Sequence, residues 1–182
     1  MSLRTEQARD HGAVEAVHLT AFGDHGGVVA QLVSALRRDD PGALSLVYEE
    51  ADDVVGNVMF SRALLDAPRR LVAVQTLSPL AVAPQWQRRG IGGALVRAGL
   101  QQLDEQGIPL VFLEGDPRYY SRFGFTPAGE QGFRKPSLRI PDGAFQVVKL
   151  SSYEPWMTGS LVYPNTFWEY DCVGLREDAA TA

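Results

Sequence analysis

The stretch Leu80-Ala-Val-Ala-Pro-Gln-Trp-Gln-Arg-Arg-Gly-Ile-Gly-Gly93 decides the reading of this chain. An apolar run ends at Pro84, a basic glycine-rich turn follows, and an amphipathic helix begins inside the glycines. A turn of this kind aims the backbone N–H groups from Gln87 to Gly93 at one point. The positive end of the following helix points to the same place. Glycine at 90, 92 and 93 removes side chains that would hold an anion away. The segment is suited to a pyrophosphate. Its bland counterpart is an ordinary strand-to-helix turn, since short glycine motifs recur by chance.

The pattern narrows the choice of anion. No G-x-x-x-x-G-K-[ST] loop occurs, and a dinucleotide fingerprint would need glycine where Leu95 stands. Gln87-Arg88-Arg89-Gly90-Ile91-Gly92 fits Gln/Arg-x-x-Gly-x-Gly/Ala. That hexapeptide resembles the acyl-CoA pyrophosphate loop of the GCN5-related N-acetyltransferases (GNAT). A second segment lies about twenty residues on: Leu110-Val-Phe-Leu-Glu-Gly-Asp-Pro-Arg-Tyr-Tyr-Ser-Arg-Phe-Gly-Phe125. A short strand over 110–113 runs into a Gly-Asp-Pro stop. Asp116 suits a helix N-cap and Pro117 a first helical position. The helix then covers 117–123 and ends at Gly124. Tyr120, four residues before a Gly-Phe pair, resembles the second acetyltransferase motif. Order and separation of the two motifs match the family, and the wording is similar to a YhbS-like bacterial branch. The resemblance covers roughly residues 1–150.

The resemblance implies an α/β (α+β) GNAT fold. Its mixed, mostly antiparallel sheet has about six to seven strands, splayed between the fourth and fifth, with helices on both faces. It implies acetyl-CoA as cosubstrate, with the pantetheine arm along Leu80, Ala81 and Val82 and a backbone N–H near Val82 polarising the thioester carbonyl. The pyrophosphate would rest on Gln87, Arg88, Arg89, Gly90, Ile91, Gly92 and Gly93. The expected reaction is direct attack by a primary amine in a ternary complex. A non-catalytic CoA-binding sensor, or an O- or longer-chain acyltransferase of the same fold, is the alternative.

Such a transfer needs a neutral amine near the carbonyl, a donor for the developing oxyanion and a proton for the departing thiolate. Tyr120 is the candidate general acid, because a phenol is mostly protonated at neutral pH. Its rival role is packing, which is the role assigned to Tyr119. Glu114, at the end of the fifth strand, is the candidate base, beside the alternatives of a salt-bridged surface carboxylate or a water chain. Arg118, Arg122, Arg134 and Lys135 are read as solvated surface charge, or as contacts to the CoA 3′-phosphate or an anionic acceptor.

The 182 residues fit one domain, 1–182, with 151–182 an extension packed on it. That extension carries Trp156, Tyr163, Phe167, Trp168 and Tyr170, too apolar for a disordered tail. It covers the core, walls an acceptor pocket or makes a dimer contact. A net charge of −5 argues against nucleic acid as partner. There is no apolar run of bilayer length and no signal-peptide pattern, and the single cysteine, Cys172, excludes an internal disulfide framework. A cytoplasmic, bacterial protein without membrane contact is expected. His11, His18 and His25 stand seven apart, about 10 Å along a helix, so no metal site is expected. The acceptor, a small-molecule or peptide amine, is not readable, nor is the choice between monomer and homodimer.

Periodicity predicts helices over 4–22 and 28–38, a hairpin of strands 44–49 and 54–65, a central strand 71–83 and a later strand 144–150. Pro79 cannot donate to a ladder, which predicts a bulge or a splayed edge in the central strand.

Overall fold

The structure, a computed structural model, describes residues 2–176. Residues 177–182, the end of the expected extension, lie outside the described residues. The chain runs β1 (Ser2–Thr5), α1 (His11–Ala21), α2 (Gly26–Asp39), β2 (Leu44–Glu50), β3 (Asp53–Asp66), β4 (Leu71–Val82), α3 (Ile91–Glu105) and β5 (Leu110–Glu114). It continues through α4 (Pro117–Tyr120), β6 (Thr126–Pro127), β7 (Phe133–Arg134), β8 (Phe145–Lys149), β9 (Gly159–Val162) and α5 (Asn165–Glu169). The strands form one sheet in the order β1-β2-β3-β4-β5-β8-β6, with β9 held by the end of β3 and by β7. All pairings are antiparallel except β4–β5 and β7–β9.

The first twenty residues depart from expectation. The helix read over 4–22 starts only at His11, and Ser2–Thr5 form a strand on β2. The ladder with β2 satisfies the backbone groups of this short segment, and the Arg4 side chain bridges the carboxylates of Asp10, at 2.7 Å, and Glu49. Asp10 also accepts the Gln7 N–H at 2.7 Å, which closes the turn before α1. These partners are distant in sequence or irregular in spacing, so no periodicity announced them.

The sheet has a core on each face. On one face α1, α2 and the C-terminal segment pack Val14, Leu32, Leu36 and Phe167 against Val74, Phe112 and Phe145. On the other face α3 sets Leu95, Val96 and Leu103 against Phe60, Leu77 and Leu113. Gly99 lets α3 approach closely, because a Cβ there would run into the Phe60 ring. From the segment after residue 150, Tyr163, Phe167 and Val173 are buried with the first cluster, while Trp168 is 41% exposed.

Pro79 produces the predicted irregularity. Val58 pairs with Leu80 but Phe60 pairs with Leu77, so Ser78 and Pro79 together face Met59. One extra residue reverses which side chains point to which face. Val72 and Val74 sit in the α1–α2 core, whereas Leu80 and Val82 pack toward α3. Ala81 and Ala83 take the opposite direction, against Val17 of α1. Next to this bulge the sheet opens. The parallel pairing of β4 with β5 covers only Gln75↔Val111 and Thr76↔Phe112, so the two strands part beyond Thr76.

His18 is a core histidine. It is fully buried, with Nε2 2.9 Å from the Asn57 amide oxygen, and Asn57 donates at 3.0 Å to Ser45 Oγ and to the Leu46 carbonyl. Burial lowers its pKa below the usual histidine value. Among the described residues no helix is long and apolar enough to cross a membrane.

Candidate active site

The loop after β4 is built by backbone conformation. Pro84–Trp86 form one tight turn, and Arg88 and Gly90 adopt left-handed conformations with φ 60° and 86°. The Gln87 side chain donates to the Val82 carbonyl at 3.0 Å and pins the loop to the strand end. The helix α3 then begins at Ile91, and the first helical bond of this turn runs from Ala94 N–H to the Gly90 carbonyl. The N–H groups of Ile91, Gly92 and Gly93 therefore lack helical acceptors and point out of the helix start.

These donors border a cavity of about 730 Å3 that lies over the opening between β4 and β5. Leu80 and Val82 form its floor. The Ala83 N–H bonds back to Val55, so strand alternation turns the N–H groups of Leu80 and Val82 the other way, into the gap. Ala81 contributes backbone only, since its side chain is buried on the far face. The far wall comes from Tyr119, Arg122 and Phe123.

Three guanidinium groups, Arg88, Arg97 and Arg122, line this cavity in a chain of net negative charge. Arg122 lies 4.2 Å over the Tyr119 ring and donates from Nε to the Tyr119 carbonyl at 2.8 Å. Arg97 lies 5.0 Å over Phe123. The sequence reading missed Arg97; its signal is position i+4 from Gly93, one turn along the same helix face. Arg89 was grouped with the loop, but its guanidinium stacks on Trp86 at 4.6 Å and is not part of the wall. Arg118 pairs with Asp116 at 3.0 Å, and Lys135 pairs with Asp142 at 2.6 Å, both away from the cavity, and Arg134 is exposed on β7.

The paired tyrosines divide differently from the sequence reading. Tyr119, assigned to packing, stands on the cavity wall: a Cβ on Gly92 would lie 2.6 Å from its hydroxyl. Tyr120 packs between Gly115 and the rings of Phe123 and Phe125. Tyr119 therefore lines the cavity, whereas Tyr120 is not among the lining residues and packs against the α3-side core. Burial raises the Tyr120 phenol well above the ordinary tyrosine value and keeps it protonated. Asp116 caps α4 as expected, accepting the Arg118 N–H at 2.9 Å.

Glu114 looks onto the other face. It borders a second pocket of about 190 Å3 with Thr76 and Ser78 of β4 and with Tyr163, Phe167 and Cys172 of the C-terminal segment. Its carboxylate accepts the Gly174 N–H at 2.9 Å. Burial raises its pKa above the usual glutamate value, opposed by that N–H and by the nearby Tyr163 hydroxyl. The structure thus places Tyr120 on the α3 side of the opening and Glu114 on the α1–α2 side. Among the described residues no group of three His, Cys, Asp or Glu side chains is arranged to hold a metal ion.

A parallel strand pair that opens beside a glycine-rich helix start defines an acetyltransferase class. The family profile described as acetyltransferase (GNAT) domain matches residues 2–128, and the chain belongs to that family. It is similar to two uncharacterized N-acetyltransferases of Escherichia coli (strain K12). YjhQ is 36% identical over 130 residues, which cover 70% of this chain and 71% of that protein. YhbS is 35% identical over 156 residues, which cover 83% and 88%. The crystal structure of E. coli YhbS in complex with CoA superposes with a TM-score of 0.80 at 32% identity, covering 91% of each chain. A GNAT acetyltransferase of Brucella melitensis in complex with acetyl-CoA gives 0.73 at 30% identity, covering 91% of this chain and 97% of that one.

Proposed function

We propose that the protein is an acetyl-CoA-dependent N-acetyltransferase that moves the acetyl group to a primary amine by direct attack in a ternary complex. The observation that carries the reading is the cradle of free N–H groups at Ile91–Gly93. Arginine side chains border it, and it adjoins an opened strand edge. A diphosphate and an amide-bearing arm match those donors in charge and hydrogen bonding. The complexes of the similar YhbS with CoA and of the Brucella protein with acetyl-CoA support the same ligand class.

In this reading the Leu80 and Val82 edge binds the arm, and an N–H there polarises the thioester carbonyl. The amine enters from the Glu114 side, and Glu114 takes its proton directly or through one water. The new C–N bond forms as the C–S bond breaks, and Tyr120 gives its hydroxyl proton to the sulfur. A carboxylate raised by burial and a phenol kept protonated suit these two roles. The acceptor is a small-molecule or peptide amine, and the working unit is a single cytoplasmic domain over 1–182, monomeric or homodimeric, engaging neither nucleic acid nor membrane.

Calorimetric titration with acetyl-CoA, with dephospho-CoA and ATP as controls, tests the binding half. A micromolar dissociation constant, about −8 kcal/mol, is expected. Thiol release across a panel of primary amines tests the transfer half. No binding of any CoA thioester sinks the whole reading; binding without turnover of any amine reduces it to a CoA-binding module.

A further inference from the structure

The C-terminal segment touches Glu114 from two directions. Tyr163, just after β9, is 5% exposed and lines the same small pocket as Glu114. Gly174, eleven residues on, gives that carboxylate its N–H at 2.9 Å. Both residues are firmly seated. Tyr163 packs on Phe167 with ring centroids 5.2 Å apart. The chain at 172–175 is tied down by the Cys172 N–H to the Phe167 carbonyl (2.8 Å) and by the Leu175 N–H to the Arg139 carbonyl (3.2 Å). Gly174 has φ 62°, and a Cβ there would lie 2.7 Å from the Arg139 backbone, so the donor sits where only glycine fits. A segment that only covered the core would have no need to bring an N–H donor and a phenol to the pocket of one carboxylate.

We propose that Tyr163 is a positioning residue: with the Gly174 N–H it fixes the Glu114 carboxylate toward the acceptor-side pocket, so the C-terminal segment completes the site rather than merely covering it. The proposal rests on the reading of Glu114 as proton acceptor. Burial favours the neutral carboxyl, and donors to its oxygens oppose that and hold the charged form in one orientation. The groups facing it are Thr76 and Ser78 from β4, Tyr163 and Cys172 from the tail, and the more distant Arg139 charge.

The test uses the full chain without ligand. The Glu114 carboxyl is followed by 13C NMR against pH, its signal assigned by loss in Glu114→Gln. In Tyr163→Phe, which keeps the ring, the midpoint rises by about half a unit or more, because a donor to the charged form is gone. Gly174→Ala, which displaces the other donor, moves it the same way. In the unmodified chain the Tyr163 13Cζ signal inflects at the Glu114 midpoint. An unmoved midpoint in Tyr163→Phe, or a Tyr163 signal that ignores the Glu114 titration, overturns the proposal. With an amine that the enzyme accepts, Tyr163→Phe lowers kcat about tenfold at pH 7, leaves the acetyl-CoA affinity intact, shifts the acidic limb of the pH profile upward and adds nothing to Glu114→Gln. A loss in the double variant equal to the two single losses combined also overturns it. Failure of the transfer reading shows separately, as absent turnover in the unmodified chain with the coupled titration still present.

Discussion

Gly92 shows how much one hydrogen atom decides at this site. The Tyr119 hydroxyl occupies the space a methyl group would need, so Gly92→Ala must push that ring out of the cavity wall. Acetyl-CoA affinity is expected to fall about tenfold, roughly 1.4 kcal/mol, in calorimetry, while the unfolding midpoint hardly moves because the site is at the surface. Tyr120→Phe should do the reverse: binding is kept, and kcat drops by about a hundredfold. Equal turnover in that variant removes Tyr120 from the chemistry. The glycines, Gln87, the Asp116 cap and the Tyr-x-x-x-Gly-Phe spacing were legible because each acts through neighbours along the chain. Tyr119 against Gly92, Arg97 beside the loop and the donors around Glu114 were not, because their partners meet only after the sheet closes.

Elements follow the same division. The helices α2 and α3 and the strands β2 to β5 were legible from period and punctuation, and a proline without an N–H announced the bulge in β4. The strand β1 was not, since four residues give no period and its partner lies more than forty residues away. The tight seat of α3 yields a prediction at this scale. Gly99→Ala places a methyl group against the Phe60 ring, and overpacking of this kind destabilises by about 1–3 kcal/mol. Urea unfolding should show that loss. Gly12→Ala on α1, where the added methyl meets open space, should instead stabilise by up to about 1 kcal/mol.

For the whole molecule, two buried polar groups on the α1 side contribute to acid sensitivity. His18 has its pKa lowered by burial, so near and below about pH 6.5 the unfolded chain takes up a proton that the folded chain refuses. Stability is full above that pH and falls as the pH drops, by up to ~1.4 kcal/mol for each unit in which only the unfolded histidine is protonated. Asp10 adds a second window. Arg4 holds its carboxyl down to about 2, so its contribution is present above the ordinary aspartate value and is lost between that value and about pH 2. Urea midpoints measured from pH 8 to pH 3 should fall in two stages, and His18→Gln should erase the first alone. The extension beyond residue 150 was recognisable as folded from its aromatic content, yet its contact with Glu114 depends on how β9 returns the chain to β3, which no local pattern encodes. The reversal of side-chain direction at Ser78-Pro79 has a last effect. Thr76 and Ser78 belong to one pocket and Leu80 to the other, so the two pockets are spaced by two links of a single covalent chain, about 7 Å of extended backbone. Substitutions elsewhere can widen either wall, but the ruler between the two pockets is made of peptide bonds and does not stretch.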